Sequence, residues 1–175
     1  MVTPIGDNQD YDSGIHPDVT SIIFWRHSVG SFFKGNRFPN LMELFFDSKV
    51  LESLELECPS LVVLSCERSR LTELSLDCPL LESLGCSSNY LVELKLNCPS
   101  LTNLTCNNNQ LTKLDLDGCP LLAGLSCWGN KLTDLNGLEF RSELKRLICS
   151  PELKESADIL KTHLPELKVS YRVKI

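Results

Sequence analysis

The feature that most constrains this chain is a unit of about twenty residues that repeats along most of its length. Between positions 81 and 121 two phrases alternate, L-x-x-L-x-C-x-x-N-x and L-x-x-L-x-L-x-C-P-x. A short period of this kind predicts a solenoid, because a single repeat cannot bury its apolar side chains alone and must stack on its neighbours. The turns are expected to begin at Leu41, Leu61, Leu81, Leu101, Leu122 and Leu144.

The second phrase predicts an extended segment rather than a helix. Apolar and polar residues alternate in it with a period of two, so that Leu74 and Leu76 point one way while Glu73 and Ser75 point the other. A proline closes the phrase in turn after turn, where its fixed φ and missing N–H favour a corner. These prolines are Pro39, Pro59, Pro79, Pro99 and Pro120.

All nine cysteines occupy fixed positions of the repeat. One series is Cys66, Cys86, Cys106, Cys127 and Cys149, and the other is Cys58, Cys78, Cys98 and Cys119. A disulfide framework joins specific pairs, whereas one cysteine per turn is typical of a ladder of buried, reduced thiols. A metal cluster is the less favoured alternative, because no C-x-x-C or C-x-x-H pair occurs. Reduced thiols indicate a reducing compartment, so we expect an intracellular protein, cytoplasmic or nuclear.

Asparagine occupies the ninth position of the first phrase at Asn89, Asn109 and Asn130. Buried there, its amide can hydrogen-bond the backbone of its own turn and of the adjacent turn. The pattern L-x-x-L-x-C-x-x-N-x-L is complete at 81–91, 101–111 and 122–132, and it resembles the leucine-rich repeat. Its cysteine resembles the cysteine ladder of some bacterial internalin-like proteins, and the resemblance covers residues 19–150.

The resemblance implies an α/β repeat solenoid that is mostly β. We expect a leucine-rich-repeat horseshoe, or right-handed superhelix, of about seven turns, with a parallel sheet on the concave face and an extended convex side. The domain organisation follows the repeat. It comprises an irregular N-terminal lead at 1–18, an N-terminal capping repeat at 19–40, the solenoid at 41–150 and a C-terminal helix–strand cap at 151–175.

The C-terminal cap has its own signals. Ser150 and Pro151 are the residue types expected at the N-cap and first position of a helix. Apolar residues at helical spacing follow up to Leu164, and Pro165 is expected to end the helix. From Leu167 onward apolar residues alternate with Lys168, Ser170, Arg172 and Lys174, which predicts a half-buried strand up to Ile175.

Charge and motifs exclude several function classes. The net charge of -6 argues against a nucleic-acid or anionic-membrane surface, where a basic patch is needed. No stretch of 18 apolar residues occurs that could span a membrane. The sequence has no P-loop, no G-x-G-x-x-G and no H-E-x-x-H motif, and its three histidines lie far apart. We therefore expect no enzyme, no catalytic residue, no metal and no cofactor.

Partner-contact candidates are the residues that flank the L-x-C core of each strand. In the middle turns these residues are small and polar, and aromatic residues stand on either side of them. The candidates are Trp25, Phe45, Glu67, Arg68, Asn107, Trp128 and Arg146. For Trp25 and Phe45 the alternative is that both pack under the N-terminal lead.

These features favour a non-catalytic protein–protein interaction module that binds a protein or peptide, and the family resemblance extends this to a role in host–pathogen interaction. The alternative is a structural or self-associating protein, in which the acidic side of one molecule, its acidic flank, would attract the basic C-terminal end of another.

Overall fold

The computed structural model describes residues 2–5, 17–25, 38–49 and 51–173. Its strands are short because each repeat supplies only three to five residues of alternating burial. They are β1 (Val2–Ile5), β2 (Ser21–Trp25), β3 (Glu43–Asp47), β4 (Ser53–Glu57), β5 (Val63–Ser65), β6 (Glu73–Asp77), β7 (Ser83–Gly85), β8 (Glu93–Asn97), β9 (Asn103–Thr105), β10 (Gly124–Ser126), β11 (Arg146–Cys149) and β12 (Lys168–Tyr171). The helical elements are 3-10 turns at Leu138–Phe140 and Pro151–Leu153 and the helix α1 (Lys154–His163).

Two parallel sheets hold these strands. The larger has the order β1-β2-β3-β5-β7-β9-β10-β11-β12, and the smaller has the order β4-β6-β8. The two phrases of the repeat therefore form the two sheets, and the predicted parallel solenoid is confirmed. The horseshoe curvature, the superhelical hand, the number of turns and the domain boundaries stay predictions.

The core lies between the two sheets and is built from equivalent residues in successive turns. Leu44, Leu64, Leu84 and Leu104 are register partners from strand to strand, and each is at most 1% exposed. Both cysteine series belong to the same buried cluster as these leucines. Each buried leucine contributes roughly 2 kcal/mol of burial free energy, so the core grows by one equal layer per turn.

The asparagine ladder connects these layers through the backbone. Asn109 Nδ2 donates to Cys106 O of its own turn and to Cys86 O of the preceding turn, both at 3.0 Å. Its Oδ1 accepts the N–H of Leu91 at 3.1 Å. Asn89 and Asn130 make the equivalent bonds, which confirms the predicted role. One turn earlier, Ser69 Oγ takes over part of this role by accepting the N–H of Ser48 at 2.8 Å.

The residue before each ladder position adopts a left-handed conformation. Arg68, Ser88 and Asn108 have φ of 54°, 60° and 54°, and the equivalent Gly129 has 71°. At Gly129 a Cβ would lie 2.5 Å from Asn108 Oδ1, so a larger residue there would displace the Asn108 side chain of the neighbouring turn.

The smaller sheet ends at β8 because the next turn has an extra residue. Gly118 is inserted between Asp117 and Cys119, where the preceding turn runs directly from Asn97 to Cys98. The inserted residue forms a turn, closed by the Cys119 N–H donating to Leu116 O at 2.8 Å, and residues 113–117 form no strand. The predicted extended convex side is thus a sheet only over the turns that precede the insertion.

Both termini differ from the sequence prediction in detail. The lead at 1–18, predicted to be irregular, contains β1, which pairs in parallel with β2 and so extends the sheet. The Ser150 side chain does not cap the helix that follows; its Oγ accepts the N–H of Gly129 at 2.9 Å instead. The sequence predicts a last strand that reaches Ile175, but the strand ends at Tyr171 because its neighbour β11 ends at Cys149 and the chain then turns into α1.

We predict that Asn109→Ala lowers the free energy of unfolding by roughly 2–4 kcal/mol, because it leaves buried backbone groups of two turns without partners. Guanidinium unfolding followed by circular dichroism measures the change. Asn97→Ala is the matched control, since that exposed amide makes one hydrogen bond, to Asp77 Oδ1, and should change stability by no more than about 0.5 kcal/mol. Equal losses in the two variants would contradict the ladder's role.

We predict that Gly118→Ala destabilises the protein by about 3 kcal/mol, because a Cβ would lie 2.0 Å from the backbone oxygen of Leu96. Gly85→Ala is the control, since the nearest atom to its Cβ would be the end of the Glu67 side chain at 3.3 Å, and no backbone atom is among its three nearest neighbours. Thermal unfolding of both variants tests this, and a Gly118 variant as stable as the Gly85 variant would show that the close approach is not limiting.

Candidate protein-binding face

The candidate site is the side of the larger sheet that points away from the core, which we call the display face. Side chains alternate along each strand, so the display face consists of three rows that cross the strands in register. From β3 onward, the first row consists of Glu43, Val63, Ser83, Asn103, Gly124, Arg146 and Lys168. The central row consists of Phe45, Ser65, Gly85, Thr105, Ser126, Ile148 and Ser170. The third row consists of Asp47, Glu67, Ser87, Asn107, Trp128, Ser150 and Arg172.

Small polar groups occupy the middle of the display face. Gly85 lies between Ser65 and Thr105, whose hydroxyl oxygens are 3.6 and 3.5 Å from the point that a Gly85 Cβ would occupy. Ser126 Oγ donates to Asn107 Oδ1 at 2.8 Å, which fixes the Asn107 amide. The middle of the face is therefore shallow, and its hydrogen-bonding groups are held in place.

Larger apolar side chains lie on both sides of this shallow middle. Phe45 precedes it and Ile148 follows it in the central row, and both are half-buried. Trp128, also half-buried, lies in the third row of the later turns. The candidate Trp25 lies in the last position of β2, but its side chain falls outside the described residues. The alternative that Trp25 and Phe45 pack under the N-terminal lead therefore stays a prediction.

The Arg146 side chain is held flat against the display face. Its guanidinium lies over Gly124, where a Cβ would be 3.3 Å from Nη2 and 3.6 Å from Nε. Nη2 donates to Asn103 Oδ1 at 3.1 Å, and the Thr102 hydroxyl orients that amide by contacting its Nδ2 at 2.9 Å. Sequence reasoning missed Asn103 and Gly124, since residues 43 positions apart carry no local signal of contact.

The remaining candidates occupy different places. Glu67 lies on the display face, with Oε1 3.3 Å from the point that a Gly85 Cβ would occupy. Arg68 is exposed in the left-handed turn after β5, beside the face rather than on it. The structure therefore brings Phe45 and Glu67 to the earlier turns and Trp128 and Arg146 to the later ones. The two groups are up to five strand-to-strand steps apart in the sheet, which is about 24 Å at about 4.8 Å per step.

The cysteine ladders lie beneath this face and have no access to it. All nine thiols are free and buried, with exposures of 0–6%. Burial raises the pKa of Cys66 and Cys106 to about 12 and that of Cys86 well above its ordinary value. Cys106 Sγ contacts the Ser126 backbone oxygen at 3.5 Å, so protonated thiols also bond to the neighbouring turn. The ladders are parts of the core.

We predict that the free energy of unfolding is independent of thiol ionisation up to about pH 8 and falls between about pH 9 and 12. The unfolded thiols lose their protons near the ordinary pKa of 9.0, whereas the folded thiols keep theirs until about pH 12, so rising pH favours the unfolded chain. Urea unfolding across this range measures the slope. Cys106→Ala removes one titrating group and should show a shallower decline, and an unchanged slope would contradict the assignment.

In the described part of the chain, no group of three or more His, Cys, Asp or Glu side chains is placed to hold a metal ion. None of its helices is both long and apolar enough to cross a membrane. A cavity of about 260 Å³ opens between the turn after β10 and the C-terminal cap, and Asn130, Lys131 and Glu152 are among its lining residues.

The parallel sheet, the leucine layers, the asparagine ladder and the stacked thiols together define a leucine-rich-repeat solenoid with a cysteine ladder. The functional domain of InlJ from Listeria monocytogenes, which includes a cysteine ladder, has a similar structure. The two share 24% sequence identity with a TM-score of 0.57, over 91% of this chain and 39% of the other. This chain therefore spans well under half of the length of that structure. No protein-family model and no curated protein matches the sequence.

Proposed function

We propose that this chain is a non-catalytic module that binds an extended segment or a surface of a partner protein on its display face. The observation that carries the proposal is the shape of the central row, in which small side chains lie between the half-buried Phe45 and Ile148. Large side chains at both ends and small ones between them form a shallow surface with apolar contacts at its margins. Half-exposed aromatic side chains of this kind are typical anchors of protein interfaces.

The rigidity of the face supports the same function. Asn107 and Arg146 are already hydrogen-bonded to Ser126 and Asn103, so binding would order few additional side chains. Interfaces that are organised before binding lose less conformational entropy on association. A sheet of parallel strands also offers a contact area that a narrow catalytic cleft does not.

Two further parts of the proposal concern the setting. Nine free, buried thiols suit a reducing compartment, which supports a cytoplasmic or nuclear location. The resemblance to internalin-like repeats supports a partner that belongs to a host cell.

We predict that Trp128→Ala weakens peptide binding about tenfold, because it removes an aromatic anchor from the display face. The protein is first used to select binders from a phage-displayed dodecapeptide library. The affinity of the selected peptides for wild type and variant is then measured by fluorescence anisotropy. Phe140→Ala is the matched control, since Phe140 is 76% exposed but lies away from the face, in the 3-10 turn after Gly137. Selected peptides that bind both variants like wild type would contradict the proposal.

A second candidate function is head-to-tail self-association, and the observation that favours it is the opposite charge of the earlier and later turns. Glu43 and Glu67 lie in the earlier turns, whereas Arg146 and Lys168 lie in the later ones. Sedimentation velocity over a range of protein concentrations separates the candidates, since a monomer at every concentration excludes self-association.

A further inference from the structure

The charges of the display face are sorted by sign along the solenoid. In the three rows, the acidic residues Glu43, Asp47 and Glu67 all lie in the two turns that contain β3 and β5. The basic residues Arg146, Lys168 and Arg172 all lie in the two turns that contain β11 and β12. The three turns between them, with β7, β9 and β10, place no charged side chain in these rows. The face therefore has an acidic end, a neutral middle and a basic end.

Five charged side chains of the face form no ion pair in the described part of the chain: Glu43, Glu67, Arg146, Lys168 and Arg172. The ion pairs Lys95–Glu93, Arg141–Asp117, Lys154–Asp158 and Lys161–Asp158 lie off the display face. The Arg146 guanidinium bonds the neutral amide of Asn103 in the face. Glu43, Arg146, Lys168 and Arg172 are exposed. The charges of these five residues are thus available to a partner.

The shortest distance between opposite charges is the same in both outer rows. From Glu43 to Arg146 in the first row there are five strand-to-strand steps, and there are also five from Glu67 to Arg172 in the third row. Five steps of about 4.8 Å give about 24 Å, which an extended peptide covers with about seven residues. This distance exceeds the Debye length of about 8 Å at physiological salt, so the two ends attract charges independently.

Arg146 is prepared to bind a carboxylate. Because Gly124 has no side chain, the guanidinium lies flat, and Asn103 holds it by Nη2. A fixed, planar guanidinium can donate two parallel hydrogen bonds to one carboxylate without a large loss of side-chain entropy. Its neighbour in the register, Lys168, adds a second positive charge beside it.

We propose that the partner of the display face is an extended segment with opposite charges at its two ends, one basic and one acidic side chain about seven residues apart. This rests on the proposed binding function and specifies its ligand. The basic end lies over Glu43 and Glu67, and the acidic end lies over Arg146 and Lys168.

The test uses the phage-displayed dodecapeptide library, since twelve extended residues span more than the required 24 Å. We expect the enriched peptides to carry a basic and an acidic residue six to eight positions apart, with neutral residues between them. One enriched peptide is then synthesised with a fluorescein label, together with a form whose acidic residues are replaced by lysine.

Binding is measured at low and physiological salt to wild type and to a variant with Arg146→Glu and Lys168→Glu. We expect this variant to bind the original peptide at least about fivefold more weakly and the lysine-substituted peptide more tightly than wild type does. The control variant carries Lys113→Glu and Lys131→Glu, which change the net charge equally at exposed positions off the display face and should leave binding unchanged.

The outcomes separate the two proposals. Peptides that require Phe45 or Trp128 but lack the paired charges, or that ignore the charge reversal, would overturn this inference and leave the binding function intact. A library that yields no peptide dependent on the display face would overturn both. Self-association that the Arg146 and Lys168 reversal abolishes would identify a second copy as the occupant and would also overturn the inference.

Discussion

Each turn of this solenoid is stable because the adjacent turns cover it, and that dependence determines where every recurring position of the repeat must lie. A leucine such as Leu84 lies between its register partners Leu64 and Leu104 in the adjacent turns, and it is 1% exposed. The asparagine amides fix the same stacking through the backbone, since each bonds carbonyls of two successive turns. A displaced turn would lose its apolar contacts and its hydrogen bonds together, so the register is strongly specified.

The same dependence explains where the structure tolerates variation. In the regular turns the residues that point into the core are leucine and cysteine, because an equal layer must be added at each step, whereas Phe46 occupies the cysteine position in β3 and Ile22 lies in the core at β2. Residues on the display face meet no such restriction and differ from turn to turn. Side chains on the display face can therefore change, and binding specificity with them, without disturbing the fold. The stacking of the turns does not require the acidic Glu67 to lie in an earlier turn and the basic Arg146 and Lys168 in later ones.

Irregular positions show the limits of stacking. The extra Gly118 replaces a strand by a turn and ends the smaller sheet, although the larger sheet continues past it. Arg68 and Ser88 adopt a left-handed conformation that costs roughly 1 kcal/mol, because the backbone bonds of the stacked turns, such as Ser88 N–H to Asn107 O at 2.8 Å, hold them there. Cooperative stacking thus overrides local preference.

The sequence by itself determined the repeat, the buried thiols and the role of Asn89, Asn109 and Asn130, because each depends on a period that is visible in the letters. The parallel sheet followed from the resemblance of that repeat to leucine-rich repeats. The last helix was also predictable from its apolar spacing, with Ala157 and Leu160 buried as expected. The tertiary structure alone decided that the lead contributes β1, that Ser150 bonds Gly129, and that Arg146 lies over Gly124 to reach Asn103. These contacts join residues of different turns, and their geometry depends on how the turns stack rather than on any local pattern.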